Sequence, residues 1–186
     1  MHVIRWLGWT LAAILLGAIV HLATILLLPQ TATRDAYARL QAHTEANKVA
    51  LLPQPTPQTM QLPFMDPAFA TAVCRYDLSS GPLKLRLQVS PVYTSISFYT
   101  RRDTAYYAIN DRAAGRRTIE LDLMTSLQRA QVQEDEEVTA ADRLIVESPG
   151  QIGLIVMRAL AAEPSAIPFV RGLLNAAECR TEAPLK

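Results

Sequence analysis

Tyrosine, arginine, asparagine and aspartate side chains are concentrated between Pro91 and Arg112, and together they are suited to molecular recognition. Tyrosine and arginine dominate the energetic centres of protein interfaces, and arginine also binds carboxylates and phosphates. A structural role is the alternative, in which the tyrosines pack across strands and Asp111 pairs with Arg112 or caps a turn. The candidate binding residues of this stretch are Tyr93, Tyr99, Arg101, Arg102, Tyr106, Tyr107, Asn110, Asp111 and Arg112.

The sequence lacks the patterns that usually carry catalysis or bind metals and nucleotides. Its three histidines, His2, His21 and His43, all precede the predicted globular part, which disfavours a histidine-based metal site or catalytic triad there. It has no G-x-S-x-G turn, phosphate loop, G-x-G-x-x-G or C-x-x-C spacing. The acidic run at 134–137 lacks the alternating ligand spacing of a calcium loop. We therefore expect no catalytic residue, no metal and no cofactor.

Two cysteines, Cys74 and Cys179, bracket the predicted globular part. In a reducing compartment they would be free thiols, and free cysteine behaves as a small buried hydrophobic residue. Outside the cytoplasm the pair predicts one disulfide, which would close a loop of about 105 residues and contribute up to ~4–5 kcal/mol in the chain-entropy relation. The choice between these interpretations depends on the membrane topology.

The stretch that carries the candidate binding residues alternates like a β-hairpin. Alternate residues from Val92 to Phe98 share one face, and those from Tyr93 to Tyr99 share the other. A polar break follows, and Thr104–Ile109 then forms a second β-rich run that ends in a turn. The hairpin therefore presents its tyrosines between a cationic tip and an Asn-Asp-Arg end.

The rest of the globular part shows the same period of two. The further predicted strands are Ala70–Leu78, Leu83–Val89, Thr118–Leu123, Arg143–Glu147 and Gln151–Leu160. The last two are apolar on both faces, which is typical of buried central strands. A short helix over Met124–Ala130 and a closing helix that ends near Glu178 complete the prediction. The fold class is mainly β: an antiparallel β-sandwich or jelly-roll-like domain of seven or eight strands with a C-terminal α-helix.

Two arginines lie in otherwise apolar predicted strands. Arg75 belongs to the first strand of the globular part and Arg158 to the last. Buried or half-buried arginines are usually paired with acids. The acids nearest to them in the predicted arrangement are Asp77, Asp122 and Glu147, and we expect ion pairs with these.

Trp6–Leu28 is the longest apolar stretch, and only Thr10, His21 and Thr24 interrupt it with polar side chains. A helix over it would be about 34 Å long, which is enough to cross a bilayer. A cleaved signal peptide is the alternative, but its apolar region would be shorter and would end in a small-x-small site. We predict an uncleaved transmembrane anchor over residues 1–28.

The charges that flank this stretch give a divided signal for orientation. Arg5 favours a cytoplasmic N-terminus, whereas Arg34, Arg39 and Lys48 on the other flank weaken that preference. Long domains translocate largely regardless of charge, and the cysteine pair suits an oxidising compartment. We therefore predict a single-pass protein of the bacterial inner membrane with its C-terminal domain in the periplasm.

Residues 29–67 are predicted to connect the anchor to a β-rich domain at 68–186. Thr33–Leu52 has a plausible N-cap and a thin apolar stripe, so we expect a juxtamembrane helix that lies on the domain or on the lipid surface. Pro53–Pro67 contains five of the twelve prolines and is expected to be an extended spacer or an arm that covers a sheet edge.

Three segments share their order and spacing with a bacterial family. They are Tyr93–Tyr99 (YTSISFY), Tyr106–Arg112 (YYAINDR) and Arg143–Leu174. Together they resemble the family called domain of unknown function 1254, whose members carry a strand similar to YYSIQLYD, a later SP turn, a strand ending in GR and a DxPAVxALQ helix. Arg158 matches the arginine after the last strand, and Pro164–Leu174 matches the closing helix.

The resemblance covers Ala70–Cys179 and implies a β-sandwich or jelly-roll-like fold. Longer members of the family continue into a second domain, called domain of unknown function 1214. This sequence ends before such a domain, so it resembles the short, membrane-anchored branch, which is expected to act beside a separately encoded partner carrying the companion domain. The family has no motif with an agreed catalytic role, and the resemblance implies no catalytic residue here.

Two classes of function remain. The first is a membrane-anchored accessory domain without catalytic activity that binds a protein partner or an envelope component. The second is an enzyme or enzyme subunit that acts on an unidentified apolar small molecule; a deep pocket with a perturbed carboxylate would favour it. Nucleic-acid binding is disfavoured because the net charge is only +1 and no long basic run occurs.

Overall fold

The computed structural model describes residues 2–31, 35–56, 58, 61–114, 117–131 and 144–181. The chain divides into two compact units, residues 1–34 and residues 35–186. The first contains a single described helix, α1 (His2–Thr31), of which His2–Leu28 is long and apolar enough to cross a membrane. The stretch is helical because leucine, isoleucine and alanine dominate it and no proline occurs before residue 29.

A five-stranded antiparallel sheet forms one layer of the second unit, which we call the globular unit. Its strands are β1 (Val49–Leu51), β2 (Phe69–Asp77), β4 (Thr94–Thr100), β5 (Ala105–Asn110) and β8 (Ile152–Leu160). They lie in the order β1–β2–β8–β4–β5. The strands β2 and β8 have runs of consecutive buried residues because both of their faces are covered.

A four-stranded mixed sheet forms the other layer. Its strands are β3 (Leu83–Gln88), β6 (Thr118–Thr125), β7 (Leu144–Ser148) and β9 (Glu178–Thr181). They lie in the order β7–β6–β3–β9; β6 and β7 are parallel and the other pairs are antiparallel. The leucines of β3 are buried, whereas Lys84, Arg86 and Gln88 face away from the core. The sheet therefore has one apolar and one polar face.

The two sheets pack face to face around the main hydrophobic core. Its largest fully buried side chains are Tyr76, Leu78, Leu83, Leu85, Leu87, Ile96, Phe98, Leu121, Leu123, Ile155 and Met157. The helix α5 (Ile167–Asn175) adds Val170 and Leu174 to the same core. We call the side of the five-stranded sheet that faces this core the inner face.

A disulfide between Cys74 and Cys179 crosses this core. Cys74 lies on β2 and Cys179 on β9, and their Cα atoms are 6.6 Å apart. Both residues are buried and belong to the main core. The bond therefore links the two sheets covalently.

The opposite, outer face of the five-stranded sheet is covered by the chain that precedes β2. Tyr37 and Leu40 of the helix α2 (Ala36–Gln41) pack with Leu52 against Val73, Leu154 and Val156. Two residues of the segment 61–66, which we call the strap, pack against the same cluster; these are Leu62 and Met65. The outer face thus has a second, smaller hydrophobic core.

The predicted fold class is confirmed: the globular unit consists of two β-sheets with a helix near its C-terminal end. The closing helix ends at Asn175 rather than near Glu178, because residues 178–181 form β9 on the free edge of β3. The strand β7 was expected to be central but lies at a sheet edge, where Ile145 is 45% exposed. The turn after Ser148 carries the chain from the four-stranded sheet into the five-stranded one.

The prediction of a helix over Thr33–Leu52 is wrong for most of its length, since only Ala36–Gln41 is helical among its described residues. Asn47, whose φ is 56°, turns the chain so that β1 can pair with β2. Its side-chain amide stabilises that turn by accepting a hydrogen bond from Asp77 N (2.7 Å) and donating one to Asp77 O (2.8 Å). The compact unit consequently begins at residue 35, not at 68.

Candidate functional site

The strands β4 and β5 form the predicted hairpin, and their tyrosines pack within it. Thr94, Ile96 and Phe98 are buried on the inner face. A register shift between residues 98 and 99 lets the consecutive side chains of Tyr106 and Tyr107 both pack near Phe98, with ring centroids 6.1 and 5.7 Å away. Both tyrosines therefore contribute to the core.

Three hydroxyl groups meet at one end of the main core. Tyr76 Oη lies 3.1 Å from Tyr106 Oη and 2.9 Å from Ser148 Oγ, and Ser148 Oγ donates to Gly150 O at 2.7 Å. Desolvation by burial raises the pKa of both Tyr76 and Tyr106 above the ordinary phenol value. Both phenols are therefore protonated at neutral pH, and the cluster is a structural hydrogen-bond network.

The tip of the hairpin binds α2. Arg101 Nη1 forms an ion pair with Asp35 Oδ2 at 2.6 Å, and its guanidinium lies 4.3 Å from the centre of the Tyr37 ring. Asp103 Oδ2 accepts a hydrogen bond from Ala36 N at 2.9 Å. Arg101 is therefore engaged within the chain.

The other end of the hairpin is also held by local contacts. Asn110 Oδ1 accepts a hydrogen bond from Ala113 N, and Asp111 Oδ1 accepts one from Thr94 N. Tyr93 packs edge-on against Phe69, with ring centroids 6.3 Å apart. These contacts match the structural alternative, in which the polar residues cap turns and the tyrosines pack across strands.

Of the nine candidate binding residues, two have exposed side chains, Arg102 and Arg112. Arg102 lies at the hairpin tip and Arg112 in the short helix α3 (Asp111–Ala114), so the two cations stand at opposite ends of β5. The structure therefore does not bring the nine residues together in one pocket. It leaves two separate positive charges beside the edge of a sheet.

A cavity of about 370 Å³ lies on the outer face, between the strap and the central strands of the sheet. Its lining residues are Ala36, Leu62, Pro63, Phe64, Met65, Asp66, Phe69, Thr71, Tyr99, Asp103, Leu154, Val156 and Arg158. Tyr99 is the one candidate binding residue among them. The sequence analysis missed this cavity because the strap was interpreted as part of an extended spacer or an arm that covers a sheet edge. The signal that could have indicated it was Arg158, an arginine in an otherwise apolar strand.

Arg75 and Arg158 do not form the expected ion pairs within the described residues. Arg75 is buried and donates to the hydroxyl and the carbonyl of Thr44, and it lies over the ring of Tyr37. Arg158 is exposed on the outer face and lines the cavity, and no described residue forms a hydrogen bond or ion pair with its side chain. Of the acids expected to pair with them, Glu147 instead pairs with Arg129 at 3.3 Å.

Within the described residues, no group of three or more histidine, cysteine, aspartate or glutamate side chains is placed to hold a metal ion. The rim of the cavity carries two carboxylates, and each accepts a hydrogen bond from backbone. Asp66 Oδ1 binds Ala68 N at 2.8 Å, and Asp103 Oδ2 binds Ala36 N. The arrangement therefore offers a recess for binding, with its acids engaged at the rim.

The globular unit is similar in fold to solved structures. The VPA0106 protein from Vibrio parahaemolyticus aligns with a TM-score of 0.57 and 11% identity, covering 81% of this chain and 37% of that chain. An uncharacterised protein from Burkholderia cenocepacia aligns with a TM-score of 0.48 and 12% identity, covering 78% of this chain and 36% of that one. At such identities the likeness to the Vibrio protein concerns the fold alone. This chain spans little more than a third of the length of either protein.

No protein-family model and no protein of curated function matches the sequence. The resemblance to the domain of unknown function 1254 family therefore stays a prediction.

Proposed function

We propose that the protein is a membrane-anchored accessory domain that binds a separately encoded protein partner at the open edge of β5. In the described part of the chain β5 pairs with β4 alone, so its other edge can accept a strand of another protein. Incoming strands dock at such edges because main-chain N–H and C=O groups pair across them. This open edge is the observation that carries the proposal.

The surroundings of β5 suit a partner with acidic side chains. Arg102 and Arg112 are exposed at its two ends, and the small side chains of Ala105 and Ala108 are exposed along it. Small residues permit close approach of a second backbone, and charges at the rim of an interface set orientation and association rate. We therefore expect a partner strand flanked by aspartate or glutamate.

The partner that best fits is the companion domain implied by the family resemblance. More than half of the similar Vibrio protein lies outside the part that aligns with this chain, which leaves room for a further domain in that protein. The partner is thus proposed to carry the domain of unknown function 1214.

The proposed location is the bacterial inner membrane, with the globular unit in the periplasm. Two features support it: a helix over His2–Leu28 of membrane-spanning length, and the Cys74–Cys179 disulfide, which suits an oxidising compartment. Alkaline phosphatase joined after Thr31 should be active on living cells. An inactive phosphatase, together with an active cytoplasmic reporter at the same position, would reverse the topology.

The partner is identified by co-purification of the full chain from detergent-solubilised membranes. Reversing both exposed charges, Arg102→Glu with Arg112→Glu, should weaken the association by about 1–3 kcal/mol, which is the usual cost of losing interface side chains that contribute to binding. Arg180→Glu is the matched control, because it reverses an exposed arginine on an edge strand of the other sheet.

The single substitution Arg102→Ala probes the same surface without disturbing the fold, since the side chain is exposed. Tyr107→Ala does not serve this purpose, because that ring packs on Phe98. Unchanged co-purification of the charge-reversed variant contradicts the proposed surface, and substrate turnover by the purified full chain favours the enzyme hypothesis instead.

A further inference from the structure

We propose that the cavity on the outer face is a second binding site, which takes a small anionic amphiphile. Its carboxylate or phosphate would bind Arg158, and its apolar part would lie on Leu154 and Val156. This site is on the face of the sheet, whereas the proposed partner surface is on the edge of β5. The two sites are therefore separate, and an experiment can refute either proposal without refuting the other.

The polar end of the site is a row of three side chains on neighbouring strands. Thr71 of β2 and Ser95 of β4 are each registered opposite Arg158 of β8, and all three belong to the outer face. Directly opposed side chains on adjacent strands have neighbouring Cβ atoms, so Thr71 and Ser95 lie beside the base of the Arg158 side chain. A guanidinium with neighbouring hydroxyl donors is suited to an anionic oxygen group.

Arg158 is free to make this contact. Among the described residues no acid pairs with it. The two carboxylates of the rim are turned to backbone N–H groups, Asp66 to Ala68 and Asp103 to Ala36. Two further arginines of the outer face are engaged: Arg75 is buried and donates to Thr44, and Arg101 pairs with Asp35. Of these three described arginines, Arg158 is therefore the one left for a ligand.

The remaining lining of the cavity is mostly apolar. Phe69, Leu154 and Val156 come from the sheet, and Leu62, Phe64 and Met65 come from the strap. A volume of about 370 Å³ lies at the lower end of the range for small-molecule sites. The lining also carries the charged carboxylates of Asp66 and Asp103, so an anionic group would bind at Arg158 with its apolar chain or ring directed along Leu154 and Val156.

The strap supplies a second observation that points to a ligand. Phe64 is 98% exposed at the cavity and has a φ of 59°, in the left-handed region that a residue with a Cβ rarely adopts. The ring of Phe64 therefore makes little contact with the rest of the free protein. A bound apolar chain would cover its ring and remove it from water.

Octanoate is the probe for the test. The full chain is reconstituted in phosphatidylcholine nanodiscs, and octanoate binding is measured by equilibrium dialysis against empty discs, which correct for partition into lipid. We expect saturable binding above the empty discs. Arg158→Gln should weaken it about tenfold or more, because a hydrogen bond to a charged group is lost. Octylammonium, with the same chain and the opposite charge, should show no saturable binding.

Two controls separate the site from general effects. Arg180→Gln removes an exposed arginine of the four-stranded sheet, outside the cavity, and should leave octanoate binding unchanged. Phe64→Ser should weaken binding without changing the thermal unfolding of the protein. Adding phosphatidylglycerol to the discs distinguishes the sources: loss of octanoate binding assigns the site to an anionic lipid, and unchanged binding assigns it to a free acid. Binding no greater than that of empty discs, equal binding by Arg158→Gln, or equal binding of octylammonium overturns the proposal.

Discussion

The two faces of the five-stranded sheet are closed in different ways. The inner face is covered by a second sheet, and a disulfide joins the two layers. The outer face is covered by α2 and the strap, and it keeps a cavity of about 370 Å³. We therefore expect the inner face to contribute most of the stability and the outer face to accommodate the proposed ligand. The predictions below test this division, from the largest expected effect to the smallest.

Removing the disulfide should have the largest effect on the inner face. Cys74→Ala with Cys179→Ala opens a loop with a sequence separation of 105. The free energy of unfolding should fall by about 4 kcal/mol, because the unfolded chain gains entropy. Urea unfolding of the full chain in detergent micelles measures it. Reducing agent should lower the stability of the unsubstituted protein by a similar amount and leave the double variant unchanged; an unaltered urea midpoint after reduction contradicts the prediction.

Gly153→Ala should disrupt the inner face almost as strongly. A Cβ atom at this position of β8 would overlap the hydroxyl of Tyr76 and the backbone carbonyl of Tyr99. This overlap can be relieved only if the sheet backbone shifts. We therefore expect the free energy of unfolding to fall by about 3 kcal/mol or more. Gly150→Ala is the matched control, since its Cβ would meet no atom within 4 Å. Equal urea midpoints for the two variants would refute the prediction.

Tyr106→Phe should alter the alkaline limit of stability. Burial raises the pKa of Tyr106 in the folded protein, so the phenol contributes stability that is present below about pH 10 and is lost as the pH rises further. At pH 8 the variant should be less stable by about 1 kcal/mol, the value of one hydrogen bond. Above pH 10 this difference should shrink, because the variant lacks one group that ionises on unfolding. Urea titrations at pH 8 and pH 11 test it; a constant difference counts against it.

Arg101→Gln should have the smallest effect and should be confined to the outer face. The substitution removes the ion pair with Asp35. Because the Arg101 side chain is 38% exposed, we expect the free energy of unfolding to fall by at most about 1 kcal/mol. Hydrogen exchange should accelerate at the amides of residues 36–41 and stay unchanged in β3 and β6. Arg102→Gln is the control at the next position. Faster exchange throughout the sandwich would show that the two faces are not independent.

The strands that alternate strongly could be predicted from the sequence. The six strands β2 to β6 and β8 appear close to their predicted limits. The period of two is clearest in β3 and β4, which bury one face, whereas β2 and β8 are apolar along their length because both of their faces are covered. The strands β1 and β9 have three and four residues, which is too short for such a pattern. The parallel pairing of β6 and β7 joins strands that are separated along the chain by residues 126–143, and no local sequence pattern indicates the direction in which β7 pairs.

The candidate site was harder to predict, because its contacts join distant parts of the chain. Arg101 lies 66 positions from Asp35, and nothing in the sequence of the hairpin indicates that its tip would bind α2. The tyrosines were identified as β-structure, but the register shift that turns Tyr106 and Tyr107 towards Phe98 is invisible in the alternation. The cavity needs the strap, which belongs to the proline-rich segment Pro53–Pro67, and the prolines of that segment indicate only an extended chain.

The covalent link between β2 and β9 also determines how the protein responds to mechanical load. A pull applied between the N-terminal helix and the C-terminal end passes from Cys74 to Cys179 through the sulfur–sulfur bond. The hairpin, the central strand β8 and the four-stranded sheet's β3, β6 and β7 all lie between these two positions along the chain. Tension can therefore peel away the segments before Cys74 and after Cys179, whereas the chain between the two cysteines is shielded from stretching.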